Sequence, residues 1–270
     1  MPTYYLTMLL GGLVGSILGL TGAGGSIVAV PLLMFSLQLS AAQAAPVALF
    51  AVAMSSVAGA MIGFRQQQVR YRAASLIAIT GMCAAPLGVW GASQIPNAPL
   101  TVIFAMVLMF VAIRMLRQPE HESTEALILD SDLLPCQVKT SEIKISWTMR
   151  CARALAYTGA VAGVLSGLLG VGGGFVIVPA LKRYSNLDIT HILPTSLSVI
   201  ALISTAGIVA AIGFGKLDYM VALPFAIGAM LGMLISINVR KHFSVSLMQY
   251  IFASFSILVA LGLIIKVMLV

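Results

Sequence analysis

Long apolar runs separated by short polar breaks organise this chain. Residues 6–36 are apolar or small almost throughout, and apolar spans follow at roughly 44–64, 72–92 and 98–117. A polar stretch covers 118–150, with Glu120, Glu122, Glu125, Asp130, Asp132 and Glu142 beside Lys139, Lys144 and Arg150. The plan then restarts. A second apolar stretch at roughly 154–182 precedes spans near 191–214, 218–238 and 245–268. Runs of about 18 or more apolar residues are long enough to cross a bilayer as helices. The strands of a β-barrel would read as short alternating segments, and none are visible. The pattern predicts an all-α polytopic membrane protein, with the lipid bilayer as its first partner.

The opening stretch of each half is cut by glycine in one pattern. Gly11, Gly15, Gly19, Gly22, Gly24 and Gly25, followed by Pro31 and Leu33, match Gly159, Gly163, Gly167, Gly170, Gly172 and Gly173, followed by Pro179 and Leu181, at a constant shift of 148 positions. The same shift pairs Pro46 with Pro194, Ser56 with Ser204, Gly59 with Gly207 and Tyr71 with Tyr219. An ungapped match of this length is an internal repeat. It divides the chain into a first membrane repeat (1–117), a polar cytoplasmic linker (118–150) that reads as a solvated connector, and a second membrane repeat (151–270).

Residues 6–36 as one helix would run ~46 Å at 1.5 Å per residue, too long for a ~30 Å core. Glycine is a poor helix former, so Thr21-Gly22-Ala23-Gly24-Gly25 should interrupt it. Either a broken helix crosses once, or two half-helices make a re-entrant hairpin; irregular backbone at that depth needs cover from protein or a watery cavity. Loop charge separates the two. With hairpins, the basic residues from Arg65, Arg70 and Arg72 through Lys182, Arg183, Arg240 and Lys241 fall on one side, and only Lys216 and Lys266 on the other. With single crossings, Lys182, Arg183, Arg240 and Lys241 change sides. The positive-inside rule favours hairpins. Basic loops of one half also meet uncharged or acidic positions in the other: Lys182 and Arg183 correspond to Met34 and Phe35, and Arg70 to Asp218. That is the signature of two inverted repeats, each a glycine-broken hairpin plus three transmembrane helices.

Composition agrees, with 60% hydrophobic and 9% charged residues against about 25% charged in a soluble domain. In this setting the net charge of +7 marks cytoplasmic loops and implies no nucleic-acid partner. The segment Met1–Tyr5 lacks the basic region of a cleavable signal peptide. Cys83, Cys136 and Cys151 are odd in number and widely spaced, so no disulfide or metal framework is readable. No nucleophile–base pair, metal-ligand cluster or phosphate-loop lysine is present, so the chain reads as a non-enzyme without a cofactor.

All eight carboxylates lie in the linker or near span ends. Cation pumps and proton-coupled carriers often keep an acid within the membrane, so a cation pathway is disfavoured. A substrate at mid-membrane must then be held by neutral groups. A helix restarting at Gly24-Gly25-Ser26 or Gly172-Gly173-Gly174 presents backbone N–H groups and a dipole that favour a small anion. The candidate substrate-binding residues are Thr21, Gly22, Gly24, Gly25 and Ser26 in the first copy, Gly170, Gly172, Gly173 and Gly174 in the second, and Thr195 and Ser196. Gly11, Gly15 and Gly19, with Gly159, Gly163 and Gly167, have the four-residue spacing of close helix packing. Pro46 and Pro194 are expected in first helical turns, and His191 at the interface.

Two glycine stretches, each followed by Pro and Leu, in a chain of about this size resemble the sulfite exporter TauE/SafE family of membrane transporters. The resemblance covers nearly everything outside 118–150 and carries over to Gly22, Gly24, Gly25 and Pro31, and to Gly170, Gly172, Gly173 and Pro179. It implies transport of sulfite, sulfonates or related anions across a bacterial inner membrane; the sulfur chemistry comes from the resemblance alone. A passive anion channel, a small-carboxylate transporter and a membrane scaffold or sensor remain as alternatives.

Overall fold

A computed structural model describes residues 2–22, 25–117, 136, 149–185, 189–213, 217–239, 253–254 and 256–265. Nearly all of them are helical. The first half forms α1 (Pro2–Thr21), α2 (Gly25–Ser36), α3 (Ala41–Arg65), α4 (Tyr71–Gln94) and α5 (Asn97–Arg117). The second forms α6 (Met149–Leu169), α7 (Gly174–Tyr184), α8 (Ile189–Gly213) and α9 (Tyr219–Val239), followed by α10 (Ser256–Ile265). The shift of 148 carries α3 onto α8 residue for residue. Most of the remaining span expected at 245–268 lies outside the described residues, as does most of the linker.

Among the described residues six helices, α1, α3, α4, α6, α8 and α9, are long and apolar enough to cross a membrane. They carry large apolar side chains on their outer surfaces, among them Leu9, Leu13, Leu87 and Val209, each more than half exposed. An exposed apolar patch of this extent marks a surface that meets another apolar phase, and here lipid supplies it. α2 and α7, at 12 and 11 residues, would rise only about 18 Å and cannot cross alone.

Helix directions follow from which residues meet. Gly63 near the end of α3 faces Pro194 near the start of α8, whereas Gly207 in the latter part of α8 faces Leu49 of α3. The two helices therefore run antiparallel. Gly22, at the end of α1, lies against Leu193, at the same end as Gly63. So α1 and α3 both finish on one face, and α2 with residues 37–40 carries the chain back between them. In the second half, Gly170 lies against Ala45 at the start of α3, so α6 finishes on the opposite face. At the glycine break the chain thus folds back along the helix it has just left. The two arms are unequal: a full-length helix is followed by a short return, where the sequence suggested two half-helices.

The packing glycines do what their spacing predicted. A Cβ on Gly11 would sit 2.0 Å from the carbonyl oxygen of Phe225, and one on Gly15 would sit 1.8 Å from that of Ala229. A Cβ on Gly163 would lie 2.2 Å from the Gly81 carbonyl, and one on Gly167 2.1 Å from that of Ala85. Only glycine lets the α1–α9 and α4–α6 backbones approach so closely. Among the described residues these two pairs are the most extensive helix contacts, and α3 against α8 comes next. All three join one half to the other.

Two expectations fail here. Pro46 and Pro194 lie within α3 and α8, past the first turn, where each removes a helical hydrogen bond. Cys136 and Cys151 form a disulfide, and both are buried. Cys136 also donates its backbone N–H to the carbonyl of Tyr184, at 3.1 Å. The bridge ties one point of the linker to the start of α6 and the end of α7.

Candidate functional site

The second glycine turn is fully described. Gly170, Gly172 and Gly173 have φ of 74°, 68° and 70°, left-handed values that glycine adopts without steric cost. α6 ends as the Gly170 N–H bonds the Ser166 carbonyl at 2.9 Å, and α7 begins with the Val176 and Ile177 N–H groups on the Gly173 carbonyl. The amides of Gly174 and Phe175 precede those first bonds, as at any helix N-terminus. The turn reaches the middle of the α3–α8 pair: Gly172 faces Val52 of α3 with Ile200 and Ser204 of α8.

In the first turn Gly22 has φ of 71° and its N–H bonds the Leu18 carbonyl at 2.7 Å. Ala23 and Gly24 lie outside the described residues. Thr21 Oγ1 donates to the Ile17 carbonyl, and Ser26 is fully buried. Exchanging the halves maps one contact onto another: Gly22 against Leu193 becomes Gly170 against Ala45.

The other predicted residues divide. Gly25 and Gly173 were grouped with the lining residues, yet the space where each lacks a side chain faces the preceding arm of its own hairpin. A Cβ on Gly25 would lie 2.4 Å from the Val14 carbonyl, and one on Gly173 2.6 Å from the Ala162 carbonyl. Each hairpin closes on these contacts. Ser196 does join the first turn: its Oγ donates to the Leu193 carbonyl at 2.8 Å and stands 3.3 Å from that of Gly22. A hydroxyl has one proton, so the shorter contact is the bond. Thr195 goes elsewhere. Its Oγ1 donates to the His191 carbonyl at 2.6 Å and accepts the Arg70 N–H at 3.1 Å. Together with His191 Nδ1, 3.0 Å from the Gln68 carbonyl, it fastens the loop before α4 to α8.

Sequence reasoning missed one distinction among the hydroxyls. Most serines and threonines within these helices donate to a carbonyl three or four residues earlier, as Ser55, Ser56, Ser198 and Thr205 do. Among the described residues, the buried hydroxyls of Ser166, Ser204 and Ser256 have no partner. A buried polar group left unpaired costs about 1–3 kcal/mol. Ser166 stands one turn before Gly170, and Ser204 Oγ lies 3.0 Å from where a Gly172 Cβ would be. Nothing in the sequence separates Ser204 from its repeat mate Ser56.

Among the described residues the one carboxylate is Asp218, which caps the Met220 N–H at the start of α9. No group of His, Cys, Asp or Glu there is arranged to hold a metal. A bundle of six membrane-length helices, duplicated and interlocked, with paired glycine turns packed against its central helices, is the build of a polytopic membrane transporter.

The comparisons agree. The family model for sulfite exporter TauE/SafE matches residues 7–263, and the chain belongs to that family. Over 261 residues it is 28% identical to a "Probable membrane transporter protein" of Xylella fastidiosa (strain 9a5c), covering 93% of this chain and 91% of that protein. It is 27% identical over 265 residues to "Probable membrane transporter protein YjnA" of Bacillus subtilis (strain 168), covering 95% and 98%. A third relative, "Probable membrane transporter protein YunE" of the same Bacillus strain, is 35% identical over 119 residues, or 42% and 44% of the two chains. No solved structure matches.

Proposed function

We propose that this membrane transporter moves small anions, sulfur oxyanions such as sulfite and sulfonates, across a bacterial inner membrane. The anion is held at the glycine turns by backbone N–H groups and the dipoles of the short returning helices. The two halves lie inverted in the bilayer. The antiparallel α3–α8 pair supports this, as do the opposite faces on which α1 and α6 finish. The observation that carries the proposal is the second turn: a helix N-terminus set against the middle of two membrane-length helices, with no carboxylate among the described helical residues. Anionic groups are favoured at such an end and cations are not.

The test is a thermal-stability screen of the purified chain against sulfite, sulfate, thiosulfate, methanesulfonate and acetate, followed by flux of the binding anions in proteoliposomes. Stabilisation and saturable flux of sulfur oxyanions are expected. Response to acetate alone would assign small carboxylates, and flux without saturation a channel. No stabilisation and no flux for any anion would leave a scaffold.

A further inference from the structure

We infer that the two halves contribute unequally to the anion site, and that Ser204, with Ser166, supplies hydroxyl donors to the bound oxyanion from the second turn. This rests on the anion-transport reading above and names the groups that complete its site.

The observation is a departure from the pattern that most serines and threonines in the described helices follow. A serine inside an apolar helix satisfies its hydroxyl on the carbonyl one turn back. Ser56 does so, donating to Val52 at 2.5 Å, and neighbouring Thr205 donates to Ala201 at 2.6 Å. Ser204, the repeat mate of Ser56, has the Ile200 carbonyl in the same position and does not use it. Its hydroxyl is fully buried, without a partner among the described residues, and borders Gly172 at the turn. Ser166 is fully buried and equally unpartnered, one turn before Gly170. Its repeat mate is Leu18, which has no hydroxyl. One unpaired hydroxyl, that of Ser204, therefore borders the glycine turn, and a second, that of Ser166, belongs to the residue whose carbonyl ends α6 on Gly170, beside a helix N-terminus that already favours negative charge.

Their chemistry selects the ligand. A hydroxyl offers one proton and little charge, which suits an oxygen of a sulfite, sulfate or sulfonate group. In the packed form Gly172 is enclosed: a Cβ there would meet Val52 at 2.8 Å and Ile200 at 3.1 Å. The donors are thus held dry until the turn parts from α3 and α8, and an entering oxyanion pairs hydroxyls that were unpaired. The first turn has no equivalent pair, because Ser56 is satisfied and position 18 is leucine.

The test uses the full-length chain purified in detergent, with Ser204→Ala, Ser166→Ala and the control Ser56→Ala. Sodium sulfite and sodium methanesulfonate serve as probes, against sodium chloride at matched ionic strength. Removing an unpaired buried hydroxyl should leave the melting midpoint without anion unchanged or raised. The same change should weaken anion binding by about 10- to 100-fold, since hydrogen bonds to a charged group are the stronger class. Ser56→Ala should bind as the parent does. A purely structural role predicts the opposite: a lower midpoint with unchanged affinity. Anion binding by the parent with undiminished affinity in Ser204→Ala overturns this inference alone. Failure of the parent to bind either anion overturns it together with the transport reading.

Discussion

Gly173→Ala tests whether the second hairpin closes for the reason given. Two costs act together. The residue sits at φ of 70°, where an L side chain loses roughly 1–2 kcal/mol. Its new methyl would also lie 2.6 Å from the Ala162 carbonyl oxygen and 3.1 Å from its carbon, and crowding of this kind typically costs about 1–3 kcal/mol. Against these, alanine restricts the unfolded chain and returns about 0.4–1 kcal/mol. The net loss is about 1–4 kcal/mol. In a chain of 270 residues each kcal/mol moves the melting midpoint by roughly 2 °C, the low end of the 2–4 °C found for chains slightly shorter, so a fall of at least about 2 °C is expected. The assay is thermal unfolding of detergent-purified protein, followed by circular dichroism. Gly213→Ala is the control, because a Cβ there meets nothing within 4 Å. An unchanged or raised midpoint in Gly173→Ala would refute the reasoning, since neither strain nor crowding would then be present.

Two further outcomes follow. Protein purified in air should give a peptide linking Cys136 to Cys151 on non-reducing digestion, and dithiothreitol should lower its midpoint, because a bridge spanning 15 residues contributes about 3 kcal/mol; three free thiols in the oxidised protein, or no change on reduction, would exclude the bridge. The proposed inverted topology would put the exposed Gln67 on a basic cytoplasmic face, so Gln67→Cys in a chain lacking the other cysteines should resist an impermeant maleimide in intact cells and react once they are opened, whereas ready labelling of intact cells would reverse the proposed topology.

Much of the fold was legible because membrane length and repetition both leave marks in sequence. Apolar run length placed α3, α4, α5, α8 and α9 to within a few residues, and the glycine register predicted which faces would touch. Depth was not legible. A glycine run says where a helix breaks, not how far each arm extends, so the unequal hairpin arms were missed. Direction is not legible either: Gly25 and Gly173 sit among lining candidates in sequence, and the side on which a glycine lacks its Cβ depends on the turn beyond it. Thr195 and Ser196 are adjacent, yet one belongs to the α4 loop and the other to the first turn, because neighbouring residues on a helix point about 100° apart. The Cys136–Cys151 bridge pairs a linker residue with a helix residue, and no periodicity connects the two. Ser204 and Ser56 occupy matching positions, and their hydrogen bonding distinguishes them.

The repeats are units of sequence without being units of packing. Within each half, the first helix is locked by its glycines to the fourth helix of the other half: α1 to α9 and α6 to α4, at carbonyl-contact distance. Sliding one half rigidly past the other would break both seams at once. Each seam is a run of backbone contacts at carbonyl distance, and close-packed interiors resist gradual deformation. The hairpin arms are less bound. α2 and α7 are short and touch chiefly the preceding arm and the helix that follows. Glycine turns join them to α1 and α6, so backbone torsion there is cheap. A rearrangement that opens the proposed anion site therefore costs least if the short arms and their turns move against a frame made of the two seams and the α3–α8 pair. The glycines consequently serve two opposed ends in one stretch. Those spaced by four hold the frame rigid, and those clustered at the turns leave the backbone there free to rotate.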